Sequence, residues 1–255
     1  MTRSFPLITA HAGSMNTEAH TLQSVQVGLA LGADVVEEDI RVTRDGIPVL
    51  AHDDEWLTVE RFHGNIAQMT YAELAASHAE LEKDKVPQLL KLEDILPLVK
   101  ASGTIINLDL KVDAAIEPAA ALVRKFALTQ QAFFSGLELE RALLAERLQP
   151  EMSKLLNVNV ELFKTMPYRE AMLQTCADAR EASCMGINIY HGILRQELVE
   201  YAAGQGLPVY AWTVEDEALM RQYAEWGVHS ITTRNVSLLM QVKKVFSASA
   251  AFGLT

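Results

Sequence analysis

The chain has 255 residues, 49% of them hydrophobic and 22% charged, with a formal net charge of −11. That supply of apolar side chains suits one large core and excludes global disorder. The acidic balance argues against nucleic acid or an anionic membrane as a general partner, so an anionic substrate needs local help from a cation.

Short apolar runs alternate with longer amphipathic segments from end to end. A first strand is predicted over 6–10, then a helix over 19–31 with apolar residues at helical spacing and Gly32 as its C-cap. A second strand is predicted over 35–42. It is followed by Asp45-Gly46 and a short apolar run at 47–51, the signal of a hairpin. Residues 53–87 break the rhythm, being long, polar and histidine-bearing, and are expected to form an insertion at one mouth of the fold. Beyond it, helices are predicted over 92–100, 114–127, 139–147, 169–179, 195–203, 216–226 and 236–245. Strands over 104–110, 132–135, 153–158, 184–189, 208–212 and 228–232 separate them. Eight strands alternating with helices predict a parallel sheet closed into an α/β, (β/α)8 TIM barrel, with an open doubly wound sheet as the alternative. One domain over residues 1–255 is expected.

Cys176 and Cys184 are the two cysteines, expected to be reduced and structural. The N-terminal apolar run is too short for a secretory signal, and no window is long enough to cross a bilayer, so a cytoplasmic protein is expected.

In such a barrel, chemistry sits at the C-terminal ends of the strands. His11 ends the first strand. Glu37 and Asp39 lie two apart on the second, so both face one way. His52 ends the run after the hairpin, and Asp109 and Lys111 end the third strand, again two apart. Inward carboxylates are costly unless paired. Three hard oxygen donors suit one divalent cation, Mg2+ or Ca2+. His11 and His52 could be ligands, but the oxygen donors suffice, which leaves the histidines as an acid and a base. Lys111 would add positive charge where a phosphate oxygen binds. Glu38 alternates to the other face, solvated or paired against a helix. His63, His78, His191 and His229 read as surface or structural residues.

The segment from His11 to Asp53 resembles the opening of the glycerophosphodiester phosphodiesterases. It carries His11, Gly13, His20-Thr21, Gly32-Ala33-Asp34, Glu37, Asp39, Thr43, Asp45-Gly46, Val49 and His52-Asp53 in the family's order. The likeness continues in the Asp109-Leu110-Lys111 stretch, where the family has Glu-x-Lys, and around Trp212-Thr213-Val214. The resemblance implies Glu37, Asp39 and Asp109 as metal ligands and His11 and His52 as the acid/base pair. It also implies Lys111 and Trp212 as substrate contacts. The implied reaction is metal-dependent hydrolysis of a small phosphodiester to glycerol 3-phosphate and an alcohol. Four departures stand out: Ala12 where the family has arginine, Ala19 where it has glutamate, Asp109 for glutamate, and Thr232-Thr233 for Thr-Asp. The missing arginine and the Asp-x-Lys are also similar to sphingomyelinase-D-type phospholipases. A lyase acting on lipid head groups and a silent phospholigand-binding barrel are therefore the alternatives. Ala12 predicts weaker substrate binding or a bulkier head group.

Overall fold

The computed structural model describes residues 4–57, 63–80 and 88–251. The first half runs β1 (Leu7–Ala10), α1 (Leu22–Ala30), β2 (Val35–Val42), β3 (Pro48–Leu50), β4 (Glu55–Leu57), β5 (His63–Asn65), α2 (Tyr71–Glu80), α3 (Leu92–Ser102) and β6 (Ile105–Leu110). Next come α4 (Ile116–Lys125), β7 (Ala132–Ser135), α5 (Leu139–Leu148), β8 (Leu155–Asn157), α6 (Val160–Thr165) and α7 (Tyr168–Glu181). The last part holds β9 (Gly186–Tyr190), α8 (Gln196–Gly204), β10 (Val209–Trp212), α9 (Glu217–Trp226), β11 (Ser230–Thr233) and α10 (Val236–Ala251).

Eight of these strands are parallel and form a (β/α)8 barrel, ordered β1-β2-β6-β7 and then β8-β9-β10-β11 back to β1. The β7–β8 seam is joined by one bridge, Phe134 to Lys154, and the Phe134 N–H donates to the Ser153 carbonyl at 2.9 Å. Strand alternation sorts the residues. At the N-terminal end Leu7, Val35, Ile105, Phe133, Leu155 and Tyr210 fill the interior with apolar bulk. One layer up, the interior turns polar with Thr9, Glu37, Asn107, Ser135 and Ser230, all buried. The opposite strand faces, among them Ile8, Val36, Ile40, Ile106 and Leu108, pack against the helices in the main core.

The insertion has elements of its own. β4 pairs antiparallel with β5, and Ile66 and Leu74 form a small core with Val49, Ala51 and Leu89 from its flanks, where β3 pairs antiparallel with β2 as the predicted hairpin. The rest of the predicted insertion, residues 58–62 and 81–87, lies outside the described residues, as do the side chains of His63 and His78.

The start of the first helix and one short extra helix differ from expectation. The first helix starts at Leu22, not at 19, because the Thr21 side chain caps it by accepting the Ser24 N–H, and His20 before it has φ 62°. The short helix α6 was not anticipated; at six residues it is too brief to show a helical period. Cys176 and Cys184 are free and buried, and burial pushes each thiol up to about 11. Among the described residues, no helix is long and apolar enough to cross a membrane.

Candidate active site

Strand register assembles the site. β2 and β6 run in parallel with Glu37 opposite Asn107 and Asp39 opposite Asp109. β1 enters on the other side with Ala10 opposite Val36, which places His11 beside Glu37. The result is a cluster in which Glu37, Asp39 and Asp109 each offer a carboxylate oxygen within 4.8 Å of the others. It opens into a cavity of about 1080 Å³ at the C-terminal mouth, also lined by His11, His52, Lys111 and Trp212. All seven residues singled out from the sequence therefore border one cavity.

Crowding three carboxylates sets their proton affinities. Burial, reinforced by Asp39 and Asp109, pushes Glu37 well above the usual carboxylate range. Burial also raises Asp109. It works the same way on Asp39, but the Lys111 ammonium, 2.7 Å from Asp39 Oδ1, outweighs it and holds that carboxyl low. Lys111 also reaches Asp109 Oδ2 at 3.2 Å. Burial opposes its charge, yet the two aspartates hold it above the ordinary lysine value.

The donor set fits a hard divalent cation. It is all carboxylate oxygen, and Asp109 Oδ1 is buried with no hydrogen-bond partner among the described residues. Gly136, at φ 76°, packs directly on that oxygen; a Cβ there would lie 2.0 Å from it.

The two catalytic candidates sit differently. His11 is partly buried, its Nδ1 2.8 Å from the Ala12 carbonyl and 3.6 Å from Glu37 Oε2. Burial lowers its pKa below the usual histidine value. His52 is exposed at the rim, its Nδ1 2.9 Å from Asp53 Oδ1. Its loop is fixed by Arg41, whose Nε donates to the His52 carbonyl at 2.8 Å while its NH1 pairs with Asp54 Oδ1 at 2.8 Å. Trp212 presents an indole N–H that is buried without a partner among the described residues, and its ring stands 5.7 Å from that of Tyr190.

Three residues of the site were not singled out as such in the sequence. His20 bridges two carboxylates, with Nδ1 3.1 Å from Glu38 Oε2 and Nε2 3.3 Å from Asp39 Oδ2. Burial works against its charge, but the bond and charge of Glu38 prevail and raise its pKa. Glu38 faces away from the barrel interior as expected, but it is buried and not solvated: His20 covers it. Arg41 continues the Glu37–Asp39 alternation, a signal present in the sequence. His20 left only the His-Thr pair as its mark.

Comparison with known proteins agrees with this fold. The glycerophosphoryl diester phosphodiesterase family model matches residues 11–238. A glycerophosphodiester phosphodiesterase of Bacillus subtilis (strain 168) is 24% identical over 261 residues, covering 93% of this chain and 86% of the relative. The structure of a putative glycerophosphoryl diester phosphodiesterase from Silicibacter pomeroyi superposes with a TM-score of 0.81 at 20% identity, covering 96% and 95% of the two chains. That of an Oleispira antarctica phosphodiesterase, in complex with the product sn-glycerol-3-phosphate, gives 0.75 at 21% identity over 94% and 97%. With this fold, this carboxylate cluster and a family match across nearly its whole length, the chain belongs to the glycerophosphoryl diester phosphodiesterase family and is a phosphoric diester hydrolase.

Proposed function

We propose that the protein hydrolyses glycerophosphodiesters to glycerol 3-phosphate and an alcohol in a reaction that depends on one divalent cation held by Glu37, Asp39 and Asp109. The observation that carries this reading is the carboxylate cluster itself, three oxygens within 4.8 Å at a barrel mouth, beside an Asp109 Oδ1 that is buried and unpartnered among the described residues. Glu37, Asp39 and Asp109 would hold that cation, which would supply Lewis-acid polarisation of the phosphoryl group.

The chain's own residues do the rest. His11 and His52 form the acid/base pair: one removes the proton from the attacking hydroxyl, of water or of the glycerol moiety, and the other protonates the leaving alkoxide as its P–O bond breaks. Lys111, pinned between Asp39 and Asp109, adds positive charge toward the phosphoryl group. His20 fixes the orientation of Asp39 from behind. Trp212 offers an indole face to the alcohol portion. The protein works on a small-molecule phosphodiester.

The test is a panel of glycerophosphocholine, glycerophosphoethanolamine, lysolipids and bis(p-nitrophenyl) phosphate, assayed with Mg2+, with Ca2+ and with a chelator. Release of sn-glycerol 3-phosphate that stops on chelation and in Glu37→Ala supports the reading. Turnover that survives either treatment defeats the metal mechanism. A cyclic phosphate as the end product from lysolipids would move the assignment to a head-group lyase.

A further inference from the structure

Position 12, where the resemblance expects an arginine, is an alanine. Ala12 is 1% exposed and its N–H is given to Glu37 Oε2 at 3.2 Å, so position 12 contributes no side-chain charge to the cavity. The neighbouring strand supplies one. β1 and β11 pair in parallel with Leu7 opposite Ser230, Thr9 opposite Thr232 and Ala10 opposite Thr233. Thr9 and Ser230 meet inside the barrel, their hydroxyl oxygens 2.8 Å apart. Continuing that alternation by two residues places His11 and Arg234 side by side on the inward face, and the His11 N–H donates to the Thr233 carbonyl at 3.0 Å. Both side chains line the cavity that holds Glu37, Asp39 and Lys111.

The Arg234 backbone is held on both sides. Its N–H donates to Glu215 Oε1 at 2.8 Å, and its carbonyl accepts from the Met15 N–H at 2.8 Å. Its guanidinium, by contrast, has no ion pair among the described residues. The other lysine and arginine lining the cavity are committed. Lys111 is held by Asp39 and Asp109. Arg141 is held by Asp113 and by the carbonyls of Leu110 and Gly136.

We propose that Arg234, reaching in from the end of β11, is the substrate-binding residue that clamps the phosphodiester anion in place of the arginine missing at position 12. The inference rests on the proposed phosphodiesterase reading for its substrate and on strand register for its residue. A guanidinium presents a planar fork that binds two phosphate oxygens at once, which a lysine does not.

The experiment compares the unaltered protein with Arg234→Gln and Arg234→Lys, each with Mg2+ or Ca2+ present. Calorimetry gives the Kd for sn-glycerol 3-phosphate and for inorganic phosphate, and steady-state kinetics on the substrate panel splits KM from kcat. A charge-assisted bond is worth about 1.5–3 kcal/mol, so Arg234→Gln is expected to raise both Kd and KM about tenfold to a hundredfold. Arg234→Lys is expected to fall between the two. Phosphate binding by Arg234→Gln within about twofold of the unaltered protein, less than the roughly 0.5 kcal/mol floor for a hydrogen bond, would overturn the proposal. So would an equal loss in both variants that tracks a lower melting temperature, since that marks a structural role. If the unaltered protein turns over no glycerophosphodiester, the functional reading falls, while the calorimetric comparison still decides the role of Arg234.

Discussion

Gly136 keeps its place against Asp109 by having no side chain. At φ 76° it occupies the left-handed region, and a Cβ would meet both Asp109 Oδ1 and the Leu110 carbonyl, at 2.0 and 2.6 Å. The loop after β7 therefore sets where the third carboxylate points. We expect Gly136→Ala to cost about 2 kcal/mol or more, because the backbone strain and the clash add. Denaturant midpoints measure that loss. Calorimetric Mg2+ or Ca2+ titration should show weaker binding in the same variant; unchanged affinity would mean the loop does not position the carboxylate. At the rim, His11→Ala and His52→Ala should each lower kcat by about 10²- to 10⁴-fold with a smaller effect on KM, the signature of lost proton transfer. Equal effects on KM alone would demote either residue to binding.

At the scale of elements, the barrel's weakest join is the seam between β7 and β8, with its one bridge at Phe134 and Lys154. Lys154 is 2% exposed and its ammonium pairs with Glu146 on α5, so an ion pair braces this seam from the helix layer. The hydrogen bond from Lys154 is the main cause holding the Glu146 carboxyl below its ordinary value. A depressed folded-state pKa contributes stability that is present above the unfolded carboxylate value, about 4.3, and is lost as pH falls through the folded one. Glu146→Gln should leave a buried ammonium without its counter-charge and cost about 2 kcal/mol at neutral pH, below the range for fully buried pairs because Glu146 is partly exposed. That gap between variant and unaltered protein should close as the pH drops below about 4.3, read by urea unfolding at several pH values. A gap that stays constant with pH would show the cost to be one of packing alone.

For the whole molecule, a net charge of −11 and three carboxylates inside the barrel mouth both oppose the compact state, and the proposed cation would relieve the inner set. Without it, Glu37 is driven toward its protonated form by burial and by its neighbours. Binding to the folded state at about a hundred times Kd adds about 2.7 kcal/mol, which in a chain of this size raises the melting temperature by about 5–10 °C. Scanning calorimetry with Mg2+, Ca2+ and chelator should show that rise, and Glu37→Gln should shrink it while melting higher than the unaltered protein in chelator. A melting temperature indifferent to metal in both proteins would count against the ion site.

Much of this was legible in the sequence. The period-two spacing of Glu37 and Asp39, and of Asp109 and Lys111, announces shared strand faces because backbone pleating alone imposes it. Eight alternations of apolar run and amphipathic segment announce the barrel, since a parallel strand covered on both faces must be apolar throughout. Other features needed the tertiary structure. Glu38 becomes buried and paired only because His20, 18 residues earlier, folds back over it at positive φ. Arg234 joins His11 across a separation of more than two hundred residues because barrel closure lays β11 beside β1. Local spacing fixes which way a side chain leaves its own strand. Which charges then meet at the mouth is decided by the register between strands, and register is a property of the closed barrel.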